Sequence, residues 1–270
     1  LAVKHWSRTT FLLLVAAYIV LPMAATLLYS LATRWTAHLL PDGYTLAHWA
    51  EGFADARFRA VLVRSLLLAL AVALAEIALI VPALYWQRVH NPAIRGVLEL
   101  LAAIPFAIPV LVIAFGLLRA TGDYLPGLQG TVGLLFAAHV GIAFPFVYWT
   151  LDSAMAAARV EHLSEAARTC GASASATLWR VILPNIGPGI AAGLLMAFGT
   201  SFNEIALAQM LTGSRFETVQ LYLLNMLKSA DADYNLLAVM TIINFAVTLA
   251  LSVGVVWLNG NRIATGKDKA

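Results

Sequence analysis

The chain has 270 residues, 61% of them hydrophobic and only 11% charged, with a formal net charge of +3. A mean hydropathy of +0.83 excludes an ordinary soluble globular protein, because the apolar runs approach the roughly 20 helical residues that cross ~30 Å of hydrocarbon. The single cysteine, Cys170, excludes an intramolecular disulfide framework.

Taken in order, Lys4, His5 and Arg8 precede an apolar run over residues 10–31. That run is too long for the apolar region of a signal peptide, and no clean small-residue cleavage site follows it, so it reads as the first span. Residues 34–60 are polar and aromatic. Pro41-Asp42-Gly43 is a turn signal there, and Trp35, Tyr44 and Trp49 suit a membrane interface. The second span covers 61–84 and contains Glu76. A short basic connection with Arg88 and Arg95 leads to a third span over 98–118, which Pro105 and Pro109 can kink. The fourth span, 131–150, holds His139 and Pro145. A polar segment, 151–185, separates it from a fifth span over 186–210. Residues 211–235 are polar again, but Val219, Tyr222, Leu223, Met226 and Leu227 recur at helical spacing. The sixth span covers 236–258 and a basic tail follows. The expectation is all-α: one transmembrane domain over 1–270, a polytopic bundle of six helices.

Six spans put both termini on one side, and basic residues orient them. With the termini inside, Lys4, Arg8, Arg88, Arg95, Arg159, Arg168, Arg180, Arg262, Lys267 and Lys269 are inside. That is ten, against six or seven outside. The segment 151–185 is then cytoplasmic, with an internal logic of its own. Residues 152–169 are good helix formers. Gly171 can stop that helix and turn the backbone. Ser173 can cap a short helix over about 174–182, and Leu183-Pro184 ends it. Leu178, Trp179 and Ile182 supply its apolar contacts. The bland alternative is a solvated helical hairpin.

Glu165-Ala166-Ala167, then Gly171-Ala172, then Ile182-Leu183-Pro184 resembles the EAA loop of permease subunits of bacterial ABC importers. The family's spacing to Leu-Pro is kept, although Ile182 directly precedes Leu183. The resemblance implies a type I importer permease of the MetI-like fold, multi-pass in the bacterial inner membrane. It implies that the short helix couples to a cytoplasmic ATPase, with Glu165, Ala166, Ala167, Arg168, Gly171, Ala172, Leu178, Trp179, Leu183 and Pro184 as coupling residues. The implied partners are two ATPase subunits that bind ATP and Mg, a second homologous permease forming a heterodimer, membrane lipid, and a periplasmic or lipid-anchored substrate-binding protein. No GxxxxGK[ST] occurs in the sequence, so this chain is expected not to be an enzyme and to bind no cofactor itself. No nucleic-acid partner is implied. No paired-Cys or clustered-His metal signature occurs, the six histidines being scattered.

Ionisable groups within spans are expensive and usually face a bundle interior or a cavity. Glu76, Ser201, Asn203 and Glu204 are therefore candidates for the translocation path, with helix-packing hydrogen bonds as the alternative. Glu99 reads as interfacial and His139 as a satisfied interhelical residue. The wording from Ser201 to Glu204 and from Thr212 to Thr218 resembles the subfamily importing spermidine/putrescine, 2-aminoethylphosphonate or ferric iron. Polyamine-type members tend to carry acids where Asn203 and Glu204 stand. Acidic residues without a matching Arg or Lys favour an amine-bearing solute, a polyamine or 2-aminoethylphosphonate. The alternatives are another solute such as ferric iron, or, outside this class, an ion channel or an integral membrane enzyme. For those two, neither a filter-like loop nor a convergent catalytic set is found.

Overall fold

A computed structural model describes residues 2–35, 38 and 40–267, and side chains from residue 9 to residue 257 within that range. The side chains of Lys4, Arg8, Arg262 and Lys267, and all of Lys269, lie outside the described set. The terminal charges used for orientation therefore fall there.

The described elements are α1 (Ala2–Leu31), α2 (Ala47–Ala54), α3 (Ala56–Val89), α4 (Arg95–Ala107), α5 (Val110–Tyr124), α6 (Val132–Ala157), α7 (Val160–Thr169), α8 (Ala174–Thr177), α9 (Leu183–Asn185), α10 (Gly187–Phe202), α11 (Val219–Lys228) and α12 (Tyr234–Lys267). Short 3₁₀ and π turns join several of them, and among the described residues the only β contact is an isolated bridge between Ala32 and Tyr44. The fold is an all-α membrane bundle. Four helices, α1, α3, α6 and α12, are long and apolar enough to span.

The third and fifth predicted spans are not single straight helices. The third breaks into α4 and α5, bent by 104°. The break falls at Ile108-Pro109, while Pro105 stays inside α4. Ile108 is extended (φ −110°, ψ 124°), as a residue crowded by a following proline ring must be. The fifth begins with α10, 16 residues, about 24 Å of rise and short of a bilayer crossing; it breaks at residues 203–205 and turns helical again from residue 206. Helix α10 meets the helical run Ala174–Asn185 at a 78° bend. Leu183-Pro184 does not stop that run, contrary to the sequence reading. A π-turn over Leu178–Ile182, in which the Leu183 N–H donates to the Leu178 carbonyl, widens the helix ahead of the proline. The Asn185 amide then donates to the Val181 carbonyl at 2.7 Å, and the chain bends at Ile186.

The chain forms two compact units, a finer division than the single domain expected over 1–270. One comprises Leu1–Ala60 and Tyr222–Val247. Within it the Asn235 amide donates to the carbonyls of Tyr29 and Ala32 at 2.9 and 2.8 Å, tying the start of α12 to the end of α1. Asp55 caps α3 through the Phe58 N–H and accepts from the Tyr222 hydroxyl at 3.1 Å. The apolar surface of α1, including Phe11, Leu13 and Tyr18, is exposed, as suits a helix facing lipid or another subunit.

The other unit, Val61–Leu221 with Thr248–Ala270, holds the main core. Leu135, Ala143, Val147, Leu151 and Met155 of α6 are wholly buried with Val72 and Leu84 of α3. Helix α10 packs along α6. Gly189 and Gly193 make that approach possible. A Cβ on Gly189 would collide with Ala154, and one on Gly193 would lie 3.4 Å from Val147. Glycines four apart on one helix face let membrane helices pack backbone to backbone, where dispersion and not the hydrophobic effect holds them.

Candidate functional site

Two polar constellations stand out, and both belong to the larger unit. The first is the connection from α6 to α10. Helix α6 ends at Ala157, and Arg159 adopts left-handed geometry (φ 50°, ψ 53°) before α7 starts. Helix α7 ends in a closed Schellman turn. The Gly171 N–H donates to the Arg168 carbonyl at 2.9 Å and the Ala172 N–H to the Ala167 carbonyl at 3.0 Å. That geometry needs a left-handed residue at the second position past the helix, and Gly171 supplies it with φ +81°. Ser173 then caps α8, its hydroxyl accepting from the Ala176 N–H at 3.2 Å. Glu165, Ala166, Arg168 and Gly171 are exposed, and Ala167 and Ala172 are half-buried. Ile182 is fully buried and anchors the run to the core. Leu178, Trp179, Leu183 and Pro184 line an apolar groove together with Ile77 and Val81 of α3, and Trp179 remains 68% exposed.

Beneath this loop lies a charge cluster that the sequence reading did not single out. The Arg88 guanidinium, on the last turn of α3, donates to Asp152 Oδ1 at 2.6 and 3.1 Å and to the Asp152 carbonyl at 2.9 Å. A further donor reaches Glu161 Oε1 at 2.7 Å. Arg95 stands 4.0 Å from Asp152 Oδ2 and pairs with Glu99 at 2.8 Å. Partial burial opposes charge on Glu161. Its own backbone N–H and the Arg88 guanidinium outweigh that and hold the carboxyl below the usual carboxylate range. The members are distant in sequence, and only their charge inside otherwise apolar flanks could have marked them.

The second constellation surrounds the end of α10. After Phe202 the helix stops, and residues 203–205 are not helical. Glu204 Oε2 accepts from the Leu207 and Ala208 N–H groups at 2.8 and 3.2 Å, so it caps the turn that follows. The same oxygen lies 3.6 Å from His139 Nε2, and His139 Nδ1 is 2.8 Å from the Ser201 hydroxyl. His139 is wholly buried on α6, and Ser201 is nearly so. Asn203, by contrast, is exposed; its amide donates to the Gly199 carbonyl at 2.9 Å and its oxygen accepts from Gln220 at 3.2 Å. The structure thus brings Ser201 and Glu204 together around His139, leaves Asn203 facing outward from them, and keeps Glu76 elsewhere on α3. Glu76 is wholly buried, and neither carboxyl oxygen has a hydrogen-bond partner among the described residues.

One histidine, His48, meets two acids: His48, Glu51 and Asp233 bring one potential ligand atom each within 4.8 Å of one another. This trio, with both acids exposed, by itself assigns no ion.

Residues 75–261 match the family model described as "Binding-protein-dependent transport system inner membrane component". The PhnV protein of Salmonella typhi, named as a 2-aminoethylphosphonate transport system permease, is 25% identical over 86% of this chain and 86% of its own length. An ABC transporter permease of Streptomyces antibioticus is 32% identical over 65% of this chain and 75% of its own. PotC of Escherichia coli K12, a spermidine/putrescine transport system permease, is 33% identical over 44% of this chain and 45% of its own. Among solved structures, a chain of a bacterial ABC transporter involved in import of the acidic polysaccharide alginate superimposes with a TM-score of 0.74. It covers 93% of this chain and 95% of its own at 16% identity, a likeness of fold.

Proposed function

The chain belongs to the family of binding-protein-dependent transport system inner membrane components and is a permease component of an ABC importer, a multi-pass inner-membrane protein; on that premise we propose that it passes a small amine-bearing solute, 2-aminoethylphosphonate or a polyamine, from a binding protein across the membrane. The energy comes from ATP, bound with Mg by two separate ATPase subunits docked on the Glu165–Pro184 loop. A second homologous permease completes the path as a heterodimer, and both termini lie in the cytoplasm.

The loop geometry supports the docking role more than any other observation. The Schellman turn presents Glu165, Ala166, Arg168 and Gly171 on one exposed corner, while Ile182 and the buried Thr177 fasten the run to the core. A Cβ at Gly171 would meet nothing within 4 Å. Closeness within this chain therefore does not call for glycine there; the positive φ does, and a docked partner can. Leu178 and Trp179 along the groove are the apolar anchors nearest that corner, with Leu183 and Pro184 at its base. When the ATPases close on ATP, a helix bound at this corner is pulled with them.

For the path, the internal contacts of Glu204 change the reading of its role. Its Oε2 is committed to the cap and to His139, so Glu204 and Ser201 hold the broken backbone open and Asn203 faces the solute. Non-helical backbone at membrane depth is tolerated where it is buried or lines a cavity, and broken helices of this kind build transporter sites. Glu76, a buried carboxyl with no hydrogen-bond partner among the described residues, is the acidic group left for an ammonium. The solute class rests on this acid and on the names of the relatives.

Affinity purification of the tagged chain from its native membrane tests the docking role: a P-loop ATPase is expected to accompany it, and a complex without one defeats the reading. Uptake of radiolabelled 2-aminoethylphosphonate and putrescine, with ferric iron as the comparison, tests the solute. Transport of iron alone defeats the amine assignment and leaves the importer intact.

A further inference from the structure

We propose that Arg88 is a positioning residue that fixes the angle between α6 and the coupling loop and makes α7 move as one body with α3. The inference rests on the importer reading, because it concerns how a pull on the loop reaches the membrane helices. The junction between α6 and α7 is the weak point of that route. Only Ala158 and Arg159 separate the two helices, and Arg159 sits in left-handed geometry, which is strained for an L-residue with a Cβ. A strained two-residue junction is where a pull on α7 would otherwise be absorbed as bending.

Arg88 spans that junction. Three of its hydrogen bonds reach Asp152, five residues before the end of α6, and one reaches Glu161, the second residue of α7. Its side chain is 10% exposed, that of Asp152 18% and that of Glu161 40%, so the Asp152 arm is the better shielded from water. Arginine suits the position because its planar fork of five donors can satisfy acceptors on two helices at once; a lysine presents one point charge. Arg95 and Glu99 on α4 extend the cluster to a fourth helix. Arg88 also sits 12 residues beyond Glu76 on the same α3, about 18 Å along the helix. The clasp thus joins the loop to the helix that carries the buried acid.

The test measures rigidity directly and needs no solute. In a Cys170→Ser background, spin labels at Leu79→Cys on α3 and His162→Cys on α7, both exposed positions outside the docking corner, report the α3–α7 distance by pulsed EPR. It is measured in the isolated chain and in the ATPase complex, nucleotide-free and trapped with ATP and vanadate. The chain carrying native Arg88 and Glu161 is expected to give one narrow distribution that does not shift on trapping. Arg88→Lys and Glu161→Ala are expected to widen it at least twofold and to let it shift on trapping, because removing a charge-assisted hydrogen bond is worth about tenfold or more in the clasped population. Glu161→Gln, whose amide oxygen still accepts from Arg88 but carries no charge, is expected to give a width between those of the native chain and Glu161→Ala. The clasp is overturned by unchanged widths in both disrupting variants, or by a native cluster that shifts on trapping as far as Glu161→Ala. If no ATPase binds the unsubstituted chain, the importer reading fails. The widths in the isolated chain still decide whether Arg88 locks the junction. Should Arg88→Lys not fold, Glu161→Ala, on the exposed arm, keeps the test open.

Discussion

The chain breaks its helices in two ways, and the contrast between the Gly171 turn and the Glu204 break shows what each region is for. At Gly171 the backbone closes on itself through two local hydrogen bonds, the side chains around it are exposed, and a Cβ would touch nothing. At Glu204 the break sits between buried Ser201, Leu207 and Ala208; the Glu204 carboxylate accepts from the Leu207 and Ala208 amides, and His139 of α6 bonds the Ser201 hydroxyl beside it. Water can finish the hydrogen bonding of an exposed turn, whereas a break among buried groups must be completed by protein. The exposed turn is therefore free to meet a partner, and the buried one has to be stable alone.

The sharpest way to break this comparison is Glu204→Ala. It removes the cap and leaves two amides short of an acceptor, so thermal unfolding in detergent should show a loss of about 2–4 kcal/mol. Glu204→Gln keeps a carbonyl acceptor; the fold should survive while transport-coupled ATPase activity or solute range changes, and if neither moves the residue is purely architectural. Next comes Gly189→Val on the helix between the two breaks. Its side chain has to displace Ala154, an overpacking that should cost about 1–3 kcal/mol and weaken the α6–α10 pair. Gly171→Asp should cost less stability, about 1–2 kcal/mol for the left-handed conformation, yet abolish transport with membrane insertion intact. Unchanged uptake in that variant would remove the loop from the coupling pathway.

The smallest effect is a pH dependence confined to the loop side. The folded state holds Glu161 below its ordinary carboxylate range, so the charged form favours the clasp. That contribution is present above the unfolded-state value and is lost as pH falls through the lowered folded one. The α3–α7 EPR distribution should stay narrow through neutral and mildly acidic pH and widen only below the ordinary carboxylate range. Glu161→Gln should show no such transition.

The loop was the most legible part of the sequence because its signals are local. Gly171, the Ser173 cap and the spacing from Glu165 to Pro184 each act within a turn or two of chain. The proline was misjudged there, since a π-turn can make room for a ring that would stop a regular helix. The third span was misjudged in another way: Pro105 and Pro109 both looked able to kink it, and only Pro109 stands at the break. In the path region His139 was expected to be an interhelical residue satisfied by others. Its partners Ser201 and Glu204, 62 and 65 residues away, carried no mark of that pairing. Glu204 read as a candidate for the translocation path, with a packing hydrogen bond as the alternative, because an N-cap serving a turn that follows a break is invisible while the break itself is unseen.

By itself the sequence determined that this is an all-α chain for lipid, with one exposed loop of recognisable build. Apolar runs and local turn chemistry act through neighbouring residues, and a one-dimensional text records those. Only the tertiary structure decided which buried charges meet. Arg88 finds Asp152 and Glu161 across 64 and 73 residues, and His139 finds Ser201 across 62. Such pairs form because burying a charge or a polar backbone group in an apolar bundle is costly unless a partner arrives with it, and which partner arrives depends on how the helices pack.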